Sequence, residues 1–306
     1  MLDYLLFIIG LVGLYLGAEW LVKGSSKLAF SLGVKPVVLG LTIIAFGTSA
    51  PEGMVSILAA IKKLEGIAIG NVIGSNIANI GLVLGLSALA RPIKVESSFL
   101  RREIPIMLLT CVLLYLLSID GRLGRIDGLL LFLGIVGFIL YQVMIVRREV
   151  GKEKLNLQDK KWQNGMLTII GFGSLLFSAW FLIKSGVNIA RRFGISEFVI
   201  GLTMIAVGTS LPELATSMVA SLRKKSGISI GNAVGSNIFN ILLVLGIASM
   251  ITPIVIEKNL LIIEYPIMIG FSLLLLPFAR SRFTLTRIEG LIFLLGYGTF
   301  IARFFL

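Results

Sequence analysis

Histidine is missing from this chain altogether, and cysteine occurs once, as Cys111 inside an apolar run. Without histidine, zinc sites of the His/Cys type, imidazole bases and imidazole proton relays are excluded, as is the Ser–His pairing of a hydrolase. A lone cysteine forms no intramolecular disulfide, so it says nothing of redox compartment. Charge is scarce as well. Asp, Glu, Lys and Arg make up 14% of the 306 residues against 57% hydrophobic ones, where a soluble domain holds about 25% charged and 45–50% apolar residues. Too few polar side chains remain to cover a soluble surface. The mean hydropathy of +0.99 also excludes disorder, which needs low hydrophobicity. The net charge of +12 does not signal nucleic acid, because the 28 Lys and Arg punctuate hydrophobic segments instead of forming a patch. The chain suits a lipid bilayer.

A helix crosses the hydrocarbon layer in roughly 20 residues. Ten apolar segments near that length fall at 4–31, 34–61, 66–90, 97–118, 125–146, 164–190, 195–222, 227–251, 259–279 and 285–305. They predict an all-α membrane protein of ten transmembrane helices, with no room for a soluble catalytic domain; no cofactor and no enzyme activity are expected. The first segment contains Glu19 and Lys23 and lacks a small-residue cleavage site, so it reads as a retained helix. Basic residues set orientation. Eight lie on one side (Lys62, Lys63, Arg122, Arg125, Arg191, Arg192, Lys258 and Arg303), and eighteen on the other, including Arg147, Arg148, Lys152 and Lys154, while Lys23 and Lys184 lie within spans. The richer side is expected to be cytoplasmic. Both termini then lie outside, in the cell (inner) membrane.

The strongest signal is an internal repeat at an offset of 161 residues. Gly40-Leu-Thr-Ile-Ile-Ala-Phe-Gly-Thr-Ser-Ala-Pro-Glu52 returns as Gly201-Leu-Thr-Met-Ile-Ala-Val-Gly-Thr-Ser-Leu-Pro-Glu213, and Gly70-Asn-Val-Ile-Gly-Ser-Asn-Ile-Ala-Asn79 as Gly231-Asn-Ala-Val-Gly-Ser-Asn-Ile-Phe-Asn240. Between 40–93 and 201–254, 30 of 54 positions match. Residues 1–146 are expected to form one five-helix repeat, 147–163 a cytoplasmic linker and 164–306 the second repeat. Five spans is an odd number, so the second copy starts on the opposite side and the topology is inverted. Inverted repeats place their shared site near the bilayer midplane and suit alternating access better than a fixed pore.

Glu52 and Glu213 lie inside apolar spans. A charge at that depth costs at least roughly 2.5–3.5 kcal/mol, which makes each a candidate site residue. Pro51 and Pro212 lack an N–H and are expected to free the carbonyls of Gly47 and Gly208. Thr48-Ser49 and Thr209-Ser210 add hydroxyls beside that break. Thr48, Glu52 and Ser56 share a helix face, as do Thr209, Glu213 and Ser217. On the next span, Asn71, Ser75 and Asn79 share a face, matched by Asn232, Ser236 and Asn240. Gly66, Gly70, Gly74 and Ala78 line a neighbouring stripe that allows close helix approach. Asn71, Asn76, Asn232 and Asn237 also suit interhelical hydrogen bonding without ligand contact.

An oxygen-only set fits hard cations such as Ca²⁺ and Na⁺. Two carboxylates carry two negative charges, which one Ca²⁺ or two Na⁺ neutralise, and a third Na⁺ on neutral oxygens leaves one net positive charge. An empty site favours protonation, so H⁺ is the natural competitor, and a Ca²⁺/H⁺ antiporter is the alternative function. A cation channel is a further alternative.

Gly-Thr-Ser-x-Pro-Glu on one span and Gly-Asn-x-x-Gly-Ser-Asn-Ile-x-Asn on the next, each present twice, resemble the alpha repeats of the Ca²⁺/cation antiporter superfamily, most nearly its compact prokaryotic sodium/calcium exchangers. The resemblance covers the whole chain. It implies a secondary active antiporter exchanging three Na⁺ for one Ca²⁺, electrogenic and functional as a monomer in lipid. It further implies cation ligands at Ala45 (carbonyl), Thr48, Ser49, Glu52, Ser75 and Asn79, and at Ala206 (carbonyl), Thr209, Ser210, Glu213, Ser236 and Asn240. In that fold the first and sixth helices slide, here eased by Gly10, Gly13, Gly17, Gly171 and Gly173. Some compact members carry Asp where this chain has Asn240. Proton-coupled relatives often carry Gly-Asn-x-x-Glu instead. Both differences argue for Na⁺ coupling.

Overall fold

The computed structural model describes residues 2–150, 161–193 and 206–304. Helices account for nearly all of them: α1 (Leu2–Ser31), α2 (Pro36–Thr48), α3 (Ala50–Ile61), α4 (Glu65–Ala90), α5 (Ser97–Leu117), α6 (Arg125–Val150), α7 (Lys161–Arg192), α8 (Ala206–Thr209), α9 (Leu211–Leu222), α10 (Ser226–Ile251), α11 (Leu260–Ser281) and α12 (Arg287–Ala302). They build a multi-pass membrane protein of ten spans, of which α2–α3 is one span broken in the middle; α8 and α9 meet at the matching break at Ser210. Six described helices are unbroken and apolar enough to span alone, and α2–α3, bent by 46°, makes a seventh. The other three fall short for local reasons. The second turn of α5 holds Arg101, Arg102 and Glu103, α12 has only 16 residues, and the span ending in α9 begins among residues outside the described set.

The repeat seen in the sequence is a repeat of structure. Boundaries of α3 recur in α9 and those of α4 in α10, each 161 residues on. The tight turns before α4 and α10 place Lys63 and Lys224 at φ 58° and 62°. Beyond α11 the spacing becomes 162, as Gly121 (φ 82°) matches Phe283 (φ 50°).

Four two-residue strands, unforeseen in the all-helical reading, settle the topology. β1 (Ile93–Lys94) pairs antiparallel with β4 (Thr284–Leu285), and β2 (Arg122–Leu123) with β3 (Ile254–Val255). Each sheet joins the third-to-fourth or fourth-to-fifth loop of one repeat to a loop of the other. With ten spans, those partner loops fall on the same membrane face only if the repeats are inverted.

Helices α4 and α10 form the centre: 78% of the apolar window of each is buried, against 33% for α1 and α7. In lipid there is no hydrophobic drive between helices, so close packing through small residues must hold them. A Cβ on Gly231 would lie 2.7 Å from the Val37 carbonyl, and one on Gly235 2.7 Å from the Leu41 carbonyl. Glycine is therefore what lets α2 rest directly on α10.

Helices α1 and α7 pack on each other as an antiparallel pair. Added Cβ atoms on Gly10, Gly17 and Gly24 would meet the backbone nitrogens of Leu182, Leu175 and Thr168 at 3.1, 2.8 and 2.7 Å. The seven-residue spacing forms one continuous glycine seam. Gly13 and Gly171 belong to it, whereas a Cβ on Gly173 meets nothing within 4 Å, contrary to the sequence expectation. One end of the pair is fastened by Asp3, which accepts from Asn188 at 3.0 Å and pairs with Arg192. A separate apolar cluster, including Leu21, Ile44, Leu175 and Val219, seats the pair against the rest.

Candidate functional site

The two carboxylates lie where both broken spans meet. Ser49 stands at the break between α2 and α3 with φ −82° and ψ 5°, and Ser210 at the break before α9 with φ −84° and ψ 4°. Each is the N-cap of a half-helix whose third residue is glutamate. Pro51 and Pro212 occupy the second helical position, where a missing N–H costs nothing. They start a new helix, a different role from opening a continuous one at Gly47 and Gly208.

Ser-x-x-Glu at a helix start ordinarily closes a capping box, serine and glutamate each bonding the other's backbone N–H. Thr286 and Glu289 do so at the start of α12. Ser49 and Ser210 do not cap. Instead the Ser49 hydroxyl donates to Glu213 Oε1 at 3.1 Å and the Ser210 hydroxyl to Glu52 Oε1 at 3.3 Å. The groups that would have closed each helix locally are exchanged between repeats. This ties each carboxylate to the opposite repeat through one serine and leaves the two acids near enough for their charges to interact.

The surrounding polar groups follow the same pseudo-symmetry. Asn71 donates to the Glu52 carbonyl at 3.2 Å and to Ser56 at 2.9 Å; Asn232 donates to the Glu213 carbonyl at 3.4 Å and to Ser217 at 3.1 Å. Ser236 donates to Glu213 Oε1 at 3.3 Å, and Ser210 reaches Ser75 at 3.5 Å. Thr48 donates to Asn232 Oδ1 at 3.0 Å and lies 3.4 Å from the Ala45 carbonyl, which also accepts the Ser49 N–H at 3.0 Å. Thr209 adjoins Glu52 across the repeats.

Asn79 and Asn240 each begin a π-helical turn, Asn79–Leu84 and Asn240–Leu245, a feature frequent at functional sites. Their orientation is fixed by a chain of donors. Asn76 Nδ2 donates to the Asn237 carbonyl at 3.3 Å, and Asn237 Nδ2 to the Asn76 carbonyl at 3.2 Å. A carbonyl only accepts, so both amides are held one way round. Asn237 Oδ1 must then take Asn79 Nδ2 (3.0 Å), and Asn76 Oδ1 takes Asn240 Nδ2 (3.1 Å). Asn71, Asn76, Asn232 and Asn237 thus serve as scaffold.

Four buried oxygens on these residues have no hydrogen-bond partner: Glu52 Oε2, Glu213 Oε2, Asn79 Oδ1 and Asn240 Oδ1. They come one each from α3, α9, α4 and α10, in two symmetry-related pairs. Buried polar atoms without partners are rare and costly, and acceptors left over as a symmetric set suit a positively charged guest. No ion pair to Lys or Arg involves either glutamate among the described residues. Of the expected site residues, Ala45, Thr48, Ser49, Glu52, Ser75, Asn79, Thr209, Ser210, Glu213, Ser236 and Asn240 are all buried; Ala206 heads α8, and its side chain lies outside those described.

Comparison with known proteins places the fold among relatives. The family model described as "Sodium/calcium exchanger protein" matches residues 2–144 and 165–306, one match per repeat. CaxA of Alkalimonas amylolytica is 40% identical, the alignment covering 95% of this chain and 94% of that protein. The sodium/calcium exchanger MaX1 of Methanosarcina acetivorans is 32% identical over 99% of this chain and 98% of its own. Among solved structures, the sodium-calcium exchanger NCX_Mj soaked with 10 mM Na⁺ and zero Ca²⁺ superposes with a TM-score of 0.88 at 36% identity, covering 98% of each chain.

Proposed function

This chain belongs to the sodium/calcium exchanger protein family, and from that premise we propose that it exchanges three Na⁺ for one Ca²⁺ by alternating access, moving one net positive charge per cycle. Members of this family are secondary transporters, not enzymes. The observation that carries the reading is the symmetric set of four unpartnered oxygens on Glu52, Glu213, Asn79 and Asn240.

Ca²⁺ takes about 6–8 oxygens in a flexible shell. The four unpartnered oxygens, the carboxylates' remaining oxygens and the hydroxyls of Thr48, Ser49, Ser75, Thr209, Ser210 and Ser236 supply that number, with the carbonyls of Ala45 and Ala206 in reserve. One Ca²⁺ cancels both carboxylate charges, and so do two Na⁺, with a third Na⁺ held by neutral oxygens. Either load removes the repulsion between Glu52 and Glu213. The empty site, doubly charged in a dry interior, is the state the protein crosses least readily. Coupling of the two ions follows from that difference, and the Na⁺ gradient supplies the driving force.

Helices α1 and α7 are the moving element in this reading, sliding as one body over the rest on their own apolar cluster. The repeats 1–146 and 164–306 are the two halves, joined by the cytoplasmic linker 147–163. Both termini lie outside the inner membrane, and the monomer is the working unit.

The test is uptake of radiolabelled Ca²⁺ into Na⁺-loaded proteoliposomes with imposed voltage. Uptake driven by the outward Na⁺ gradient and accelerated by an inside-positive potential is expected, since each cycle carries one positive charge out. Uptake that ignores Na⁺ and follows a pH gradient would overturn the reading in favour of Ca²⁺/H⁺ exchange.

A further inference from the structure

A second pair of acids occupies equivalent places outside the central site. Glu264 at the head of α11 and Glu103 in the second turn of α5 are 161 residues apart, and each faces the last helix of its repeat. Glu264 meets Arg303, the residue that caps the end of α12, in an ion pair. Tyr141, the counterpart of Arg303 at the spacing of 162, points outward, and the residue that faces Glu103 from α6 is its neighbour Gln142. Where the second repeat supplies a guanidinium, the first supplies a neutral amide.

Glu103 is 7% exposed and Gln142 1%. Glu103 Oε2, Gln142 Oε1 and Gln142 Nε2 are all buried, and none makes a hydrogen bond of good geometry although the amide lies beside the carboxyl. Other charges do not resolve the acid. Arg101 and Arg102 on α5 are exposed, as is Arg280 on α11, and none pairs with it among the described residues. Helix α10 carries no charged side chain. Arg147 and Arg148 lie beyond the described side chains of α6.

We infer that Glu103 and Gln142 form a proton-binding site, separate from the cation site, in which Glu103 is held as a carboxylic acid. The three orphan atoms decide the ligand. A carboxylic acid and a primary amide are complementary, each offering one donor and one acceptor. With the proton on Glu103, its O–H donates to Gln142 Oε1 while Gln142 Nε2 donates back to the carboxyl, and all three atoms are satisfied at once. An ionised Glu103 leaves Gln142 Oε1 without a donor and a charge buried without a counter-ion. A metal cation would need several more oxygens than this niche offers.

Infrared difference spectra of the purified protein in liposomes at neutral pH test this directly. The spectrum of the wild-type protein minus that of Glu103→Gln should show the carbonyl stretch of one protonated carboxylic acid. Gln142→Arg should lose the same band, because a guanidinium there would pair with Glu103 as Arg303 pairs with Glu264 and hold Glu103 as the carboxylate. Identical spectra for wild type and Glu103→Gln, or a band that survives Gln142→Arg, would overturn the inference. If Glu103→Gln fails to fold, loss or survival of the band in Gln142→Arg decides the question alone. The readout does not involve ion flux, so failure of this inference and failure of the exchange reading are separate results.

Discussion

Ser49 of the first repeat donates its hydroxyl to Glu213 of the second at 3.1 Å, and Ser210 returns the bond to Glu52 at 3.3 Å. Each serine is in position to cap its own helix, yet serves the opposite carboxylate. A hydrogen bond to a charged group contributes about 1.5–3 kcal/mol. Ser49→Ala and Ser210→Ala should therefore each raise the KM for Ca²⁺ by about tenfold or more, and by similar amounts. Initial rates of Ca²⁺ uptake check both. A large asymmetry between the two would contradict the reciprocal arrangement.

Glu52→Gln or Glu213→Gln should abolish Ca²⁺ exchange with the fold kept, since a buried amide costs less than a buried charge. In ion-free buffer either variant should melt at or above the wild-type temperature, because one side of a like-charge repulsion is gone. Flux assays and thermal unfolding, run on the same preparation, provide both readings. Robust exchange in either variant removes the carboxylates from the mechanism.

Asn237→Leu should raise the KM for both ions without lowering thermal stability in proportion. It removes the acceptor that ties Asn79 Nδ2, so the Asn79 amide is free to turn its NH₂ toward the cation. Adding Asn79→Asp should restore affinity, because a carboxylate presents oxygen in either orientation. Absence of rescue would mean that Asn237 acts through packing alone.

Asn240→Asp should make exchange more sensitive to acid. A third carboxylate crowds the empty site, and crowded carboxylates bind protons more readily. Proton inhibition then sets in at higher pH than in the parent. A pH profile of Ca²⁺ uptake that is unchanged would count against Asn240 as a central ligand.

Gly17→Val should block transport and destabilise the α1–α7 pair by about 1–3 kcal/mol, the usual cost of overpacking, since a Cβ there lies 2.8 Å from the Leu175 nitrogen. Gly173→Ala, whose Cβ meets nothing within 4 Å, is the control and should transport normally. Thermal unfolding and flux distinguish the two.

The ten spans, their inversion and both glutamates are legible in the sequence because each leaves a periodic mark: segment length, repeat parity, and a charge where hydrocarbon should be. Contacts between the repeats leave none. Ser-x-Pro-Glu reads as a local signal, and nothing in its spacing says that Ser49 reaches across to Glu213. The split of the asparagines into Asn79 and Asn240 with unpartnered oxygens and Asn76 and Asn237 behind them depends on which carbonyl each amide meets, a matter of three dimensions. Gly173 stands close to Gly171 in sequence, but two residues along a helix turn the side chain to a different face. The strands escape detection because two-residue pairings carry no alternation.

Those strands have a mechanical consequence. Arg122 is paired with Val255 on one face and Ile93 with Leu285 on the other, so backbone clasps fasten the two halves of the central bundle at its top and at its bottom. Neither α1 nor α7 contributes a residue to either clasp. A bundle pinned at both rims resists rocking, which leaves α1 and α7, outside both clasps and tied to the rest at Glu19–Arg223, as the helices freest to shift.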